Sequence, residues 1–175
     1  SRARVYAHRF AESCVGAKNG FNYWRDVGTI DAYWEANMEL TRVTPELNMY
    51  DVNWPIWTYQ EQLPPAKFVF NDVGRTGMAT DSIVSGGCLV SGSVINSSVL
   101  FSNVRVHSFC EIEGAVLLPN VTINRNVKLK NVVIDKGVHI PEGFEIGFDL
   151  EADEKRFFVS EKGTVLVTVE MLNKL

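Results

Sequence analysis

The feature that most constrains this chain is a six-residue spacing of aliphatic side chains between residues 83 and 147. Val94, Leu100, Val106, Ile112 and Leu118 recur at that interval; so do Ile83, Leu89, Ile95 and Phe101, and likewise Val104, Cys110 and Val116. Past Pro119 the register shifts. Ile123 then pairs with Leu129, and Ile134, Ile140 and Ile146 form a row beside Val132, Val138 and Phe144. A period of six fits neither the 3.6-residue turn of an amphipathic helix nor the alternation of a plain strand. It fits a hexapeptide solenoid, whose short strands meet at corners and stack coil upon coil. Ser, Asn and Gly fill the intervals. These suit tight corners, because Gly and Asn tolerate positive φ and Ser bonds to turn backbone. The reading is a mainly β protein: a left-handed parallel β-helix over 81–147, with about three and a half triangular coils.

A solenoid has open ends that expose strand edges and apolar core. The tail, 148–175, is expected to cap one end, with RFFVSEKGTVLVTV (156–169) as a hairpin. The acidic stretch 148–155 reads as solvated. The first eighty residues lack the repeat. In 1–42, Val5 to Phe10 reads as a strand, and YWRDVGTIDAYWEAN (23–37) reads as a turn entering a helix. Thr29 suits the N-cap and Asp31 the first helical turn. Ile30, Tyr33, Trp34 and Met38 then share one face, and the helix is expected over 30–42, stopping before Pro45. Residues 43–80, with Pro45, Pro55, Pro64 and Pro65, read as a linker with short strands. Strand, turn and helix are too little to bury Tyr23, Trp24, Tyr33, Trp34, Trp54 and Trp57. A larger partner surface is therefore expected, and 1–42 reads as the end of an α/β domain.

Charge is balanced. Residues 1–80 carry eight Lys/Arg against nine Asp/Glu, and 81–175 carry nine against twelve. No basic patch points to nucleic acid, and no apolar run is long enough to span a membrane. Cys14, Cys88 and Cys110 form no CxxC pair, and reduced core thiols in a cytoplasmic protein are expected. Among polar candidates, Asp26 is either a turn residue bonded to its own backbone or a metal ligand. His107 and His139 lie in the repeat, where a histidine could serve as general base; corner positions are the plainer reading. His8 has no partner at metal-binding spacing. Arg105, Arg125, Lys128, Lys130 and Lys136 dot the solenoid, either as a solvated face or as an anion site.

At this point the residues support a resemblance. WRDVGT before the aromatic helix, MYDVNWPIWTY, LPPAKFVF and VSGGCLVSGSVINSSVLFSNVRVHSFC together resemble the C-terminal part of bacterial ADP-glucose pyrophosphorylases (glucose-1-phosphate adenylyltransferases), over nearly the whole chain. The resemblance implies an enzyme with an N-terminal nucleotidyltransferase domain and a C-terminal left-handed β-helix. It would make ADP-glucose and pyrophosphate from ATP and glucose 1-phosphate with Mg²⁺, as an allosteric homotetramer in glycogen biosynthesis. It implies that Asp26 is a catalytic Mg²⁺ ligand and that Trp24 lies beside the sugar-phosphate pocket. Lys136 becomes the first candidate for holding a phosphorylated effector. The family's Gly-rich nucleotide loop, second metal Asp and sugar-phosphate Lys are not in this sequence, so the chain alone is expected to be inactive. Two alternatives stand beside this reading: a hexapeptide acyltransferase using His107 or His139, and a non-catalytic assembly module.

Overall fold

In the computed structural model, which describes residues 3–9, 23–53 and 55–175, left-handed backbone marks the corners of the repeat. Three columns carry positive φ: Asp81, Ser97, Gly114 and Asn131; Gly87, Asn103, Asn120 and Gly137; and Gly92, Phe109, Asn126 and Gly143. Gly and Asn predominate because left-handed backbone costs them least. Between corners run short strands, each too short to be stable without stacked neighbours.

The elements begin with helix α1 (Ile30–Leu40). The first coil holds β1 (Lys67–Val69), an antiparallel excursion of β2 (Asn71–Asp72) and β3 (Arg75–Thr76), then β4 (Met78–Thr80) and β5 (Ile83–Val84). The second holds β6 (Leu89–Ser91), β7 (Val94–Asn96) and β8 (Val99–Leu100). Next come β9 (Arg105–Val106) and β10 (Glu111–Leu117), then β11 (Thr122–Ile123) and β12 (Lys128–Ile134), then β13 (His139–Ile140) and β14 (Glu145–Ile146). The tail has α2 (Leu150–Glu154), β15 (Phe158–Val159), β16 (Val165–Val167) and α3 (Val169–Leu172).

One side of the solenoid is the parallel sheet β1-β6-β9-β11-β13. The other two sides belong to a second sheet, because β10 and β12 run through their corners at Gly114 and Asn131 without a break. The result is a parallel β-solenoid of about four turns.

The coil is shorter than three equal sides of six. Ile95 pairs with Ile112, Ile112 with Leu129 and Leu129 with Ile146, a step of seventeen residues. The short side is the one with the continuous strand, where Ile112 and Leu117 both point inward only five residues apart. A strict six-residue row therefore drifts out of phase. Leu100, Val106 and Ile112 are buried, but Val94 is 44% exposed and Leu118 half-buried. Inward residues come in pairs, such as Cys110 with Ile112, Ala115 with Leu117, Val127 with Leu129 and Val132 with Ile134, all at most 2% exposed. Each Leu or Ile so buried contributes about 1.5–3 kcal/mol.

The ladder begins at Lys67, ahead of the expected start at 81, because β1 and β4 already pair with β6 and β7. It also continues beyond 147. After an excursion over 148–164, β16 joins β12 in parallel while β15 folds back on β16. The acidic stretch is not wholly solvated. Asp153, 1% exposed, accepts bonds from the Gly147 N–H at 2.7 Å and from Arg156 at 2.6 Å.

Described residues 3–9 form no strand, contrary to the expectation for Val5–Phe10; no described strand pairs with them, and an unpaired strand has no ladder to hold it. Phe10, Cys14 and Trp54 lie outside the described residues. Helix α1 ends at Leu40, two residues before its expected limit. It packs on β10 and β12, so part of the partner surface expected for its aromatics is the solenoid itself. Trp34 Nε1 donates to the Gly114 carbonyl at 2.7 Å across that contact.

Candidate functional site

The polar turn before α1 is built by its own short-range bonds. The Asp26 Oδ1 accepts the Gly28 N–H at 3.0 Å, and the Thr29 hydroxyl oxygen accepts the Ala32 N–H at 3.1 Å as N-cap. Gly28 matters here because a Cβ would stand 3.2 Å from Asp26 Oδ1. The turn is open: Asp26 is exposed, and Trp24 is 64% exposed. Arg25 holds it to the rest of the segment. Its guanidinium pairs with Glu39 at 2.8 Å and Glu46 at 2.6 Å, and lies 4.9 Å from the Tyr23 ring centroid. Burial, and then the charge of Glu39, push the Tyr23 phenol up.

Asp26 supplies one hard oxygen ligand. Among the described residues no group of three His, Cys, Asp or Glu side chains could hold a metal ion. The described part of this chain therefore does not fit a complete Mg²⁺ centre, and Asp26 here bonds its own turn. Trp24 and Asp26 share one exposed turn, as the sequence leads one to expect.

Lys136 lies elsewhere, on the turn after β12. Its side chain is exposed, and its N–H donates to Asp135 Oδ1 at 2.8 Å. The Asp135 N–H donates in turn to the Val167 carbonyl at 2.9 Å, so this turn adjoins β16. Lys128 and Lys130 are spoken for by cross-coil pairs, with Glu145 at 2.9 Å and with Glu113 at 3.9 Å. Hydrogen bonding to Glu145, and then its charge, push the Lys128 ammonium up.

The histidines gain no catalytic setting. His107 is half-buried and its backbone carbonyl accepts the Ser93 hydroxyl; His139 is exposed on β13 beside Thr122. Neither imidazole is hydrogen-bonded to a carboxylate among the described residues. His8 is exposed.

Sequence reasoning missed the contacts that fasten α1 to the tail. Asp31, 9% exposed, accepts the Ser160 hydroxyl at 2.5 Å and the Lys162 N–H at 3.3 Å, while Lys162 pairs with Glu35 at 2.5 Å. Burial alone would raise the Asp31 carboxyl, but the Ser160, Thr164 and Lys162 donors outweigh it and hold it below the ordinary value. Asp31 was visible as a dipole-favourable residue in the first turn. The hairpin turn it meets lies some 130 residues away in sequence, and no local pattern announces that contact.

Among the described residues no helix is long and apolar enough to cross a membrane. Comparison with known proteins agrees with the fold. A family model described as "GlmU-like, C-terminal hexapeptide" matches residues 64–167. The chain is 64% identical over 98% of its length to the glucose-1-phosphate adenylyltransferase of Methylobacillus flagellatus, covering 40% of that protein. It is 63% identical over 99% of its length to the enzyme of the same name from Dechloromonas aromatica, covering 39%. For that of Nitrosomonas europaea the figures are 57%, 99% and 40%. The chain thus spans about 40% of the length of the curated relatives it matches. With four stacked turns, positive-φ corners and these matches together, the chain belongs to the GlmU-like hexapeptide family, in the branch whose curated relatives are glucose-1-phosphate adenylyltransferases.

Proposed function

We propose that this chain is the regulatory and assembly region of a glucose-1-phosphate adenylyltransferase, which joins ATP and glucose 1-phosphate into ADP-glucose and pyrophosphate for glycogen synthesis. The observation that carries the reading is the extent of the match: sequence identity runs through both the polar turn and the solenoid, over 98% of the chain. In the whole enzyme, Asp26 is one carboxylate ligand of a Mg²⁺ whose other ligands come from parts of the protein that this chain does not span. The exposed face of Trp24 forms one wall of the sugar-phosphate pocket. Lys136 holds an anionic group of a phosphorylated effector. The exposed Trp24, Tyr50, Trp57 and Tyr59 suit contacts with the remainder of the enzyme or with other subunits of a homotetramer. A cytoplasmic location belongs to the same reading.

The test is ADP-glucose synthesis by the full-length protein, with ATP, glucose 1-phosphate and Mg²⁺. Asp26→Asn should lower kcat at least about tenfold, since a charged ligand is lost where phosphates converge. Undiminished turnover would remove Asp26 from the chemistry. Lys136→Ala should raise the effector concentration needed for half-maximal activation, and an unchanged activation curve would remove Lys136. The residues 1–175 alone should form no ADP-glucose.

A further inference from the structure

Arg25 stands in the chain between the two exposed residues of the polar turn, Trp24 and Asp26, and its side chain reaches back to the far end of α1. Its Nε and Nη2 both meet Glu39 Oε2, at 2.9 and 2.8 Å. Nη2 also donates to Glu46 Oε2 at 2.6 Å, and Nη1 donates to the Trp24 carbonyl at 3.0 Å. Every guanidinium nitrogen is thus engaged: with a carboxylate in the last turn of α1, with one beyond it, and with the backbone of the turn itself. A planar fork offers donors in this arrangement, whereas a lysine ammonium is a point charge.

Glu39 makes this contact a costly one. Its side chain is 8% exposed, Arg25 is its only side-chain partner among the described residues, and its Oε1 has no partner among them. A buried carboxylate is tolerated when it is paired and strongly disfavoured when it is not. The pair with Glu46 joins more exposed groups and adds little. Helix α1 does not need this arrangement to form or to dock. Thr29 and Thr41 cap its ends, and Asp31, Glu35 and Trp34 hold it to the hairpin turn and the solenoid. The polar turn does need it. The Asp26–Gly28 bond shapes the turn internally, and Thr29 ties its downstream end to the helix. Upstream, Trp24 is largely exposed, and among the described residues the bonds that tie its peptide to α1 are those of Arg25.

We propose that Arg25 is a positioning residue of the sugar-phosphate pocket. Anchored on Glu39, it holds the Trp24 peptide in place, so that the exposed face of Trp24 stands as one wall of the pocket with Asp26 beside it. The role rests on the adenylyltransferase reading of that turn. Arg25 acts through the Trp24 carbonyl, with its own guanidinium turned to α1 and away from any substrate. A shift of about 1 Å in a group that positions substrate is enough to cost a large factor in rate.

The test uses the full-length protein, with steady-state kinetics and amide hydrogen exchange as the two readouts. Arg25→Gln should lower kcat/KM for glucose 1-phosphate at least about tenfold, while KM for ATP stays within about twofold of the parent. Exchange should become faster over residues 24–28 and in the last turn of α1, where Glu39 is left buried and unpaired. Arg25→Lys keeps the charge but not the fork, and its kcat/KM for glucose 1-phosphate should stay low. Arg25→Gln with Glu39→Gln removes the unpaired acid. Exchange in the last turn of α1 should then return to the parent rate, while exchange over 24–28 stays fast and kcat/KM stays low. Recovery of kcat/KM in the double variant or in Arg25→Lys overturns the proposal, because charge balance alone would then account for Arg25. Parent-rate exchange over 24–28 in Arg25→Gln overturns it as well. A parent protein that forms no ADP-glucose overturns the adenylyltransferase reading, and the positioning role with it; an active parent with unimpaired variants overturns the positioning role alone.

Discussion

The solenoid and α1 are held in opposite ways. In the solenoid, each inward aliphatic sees the same neighbours above and below, so that Ile112 stacks between Ile95 and Leu129 and its burial is repeated coil after coil. In α1 the buried residues are polar, Asp31 and Glu39. The helix is docked by a few individual bonds: Asp31 and Glu35 to the hairpin turn, and Trp34 to a solenoid corner. A repeat distributes its stability over many equivalent contacts. A helix docked by a few individual contacts is loosened by losing any one of them.

That contrast can be broken at several strengths. The largest effect is expected in the solenoid. Ile112→Ala leaves a cavity between two stacked rungs and should cost about 2–5 kcal/mol. Denaturant unfolding should show it as a lower midpoint, with the loss felt across the whole β-helix. Asp31→Asn should act on the helix instead, costing about 1 kcal/mol of docking free energy through lost charge-assisted bonds. Proteolysis should become faster within 23–40 while the solenoid's unfolding midpoint barely moves.

Asp31 also sharpens the comparison through pH. Its carboxyl is held below the ordinary value in the fold, so the folded state favours the ionised form. Its contribution is present above the unfolded pKa of about 4 and is lost as pH falls through the lower folded value. Acidification below about pH 4 should therefore loosen α1 in the parent, whereas Asp31→Asn should lack that component. Limited proteolysis across pH 2.5–5 would reveal it.

Smaller again is Trp34→Phe. It keeps an aromatic ring but removes the donor to Gly114, for about 1 kcal/mol or less, readable as increased amide exchange in α1. The smallest effect is Lys128→Ala. Its pair with Glu145 joins two well-exposed side chains, so the thermal midpoint should not move measurably.

The repeat was legible because its information is local and redundant. Six-residue spacing, Gly and Asn at corners, and aliphatics between them all report the same backbone path. Its small error has the same source: counting in sixes misses a side of five, since Gly114 and Asn131 look like any other corner residues although their strands run straight through. The polar turn was half legible. Asp26, Gly28 and Thr29 form the expected local bonds, but a metal role needs ligands that these residues do not themselves supply. The Asp31 latch was not legible, because Asp31 and the hairpin turn it meets are about 130 residues apart and no period links them.

The sequence by itself determined the solenoid, the tail hairpin, the N-cap of α1 and the family to which the chain belongs. Each of these rests on short-range pattern or on residues adjacent in the chain. Only the tertiary structure decided which of α1's residues are buried and where the tail rejoins the coils. Those outcomes depend on distant segments meeting in space, where the bonds formed between them are set by no local preference.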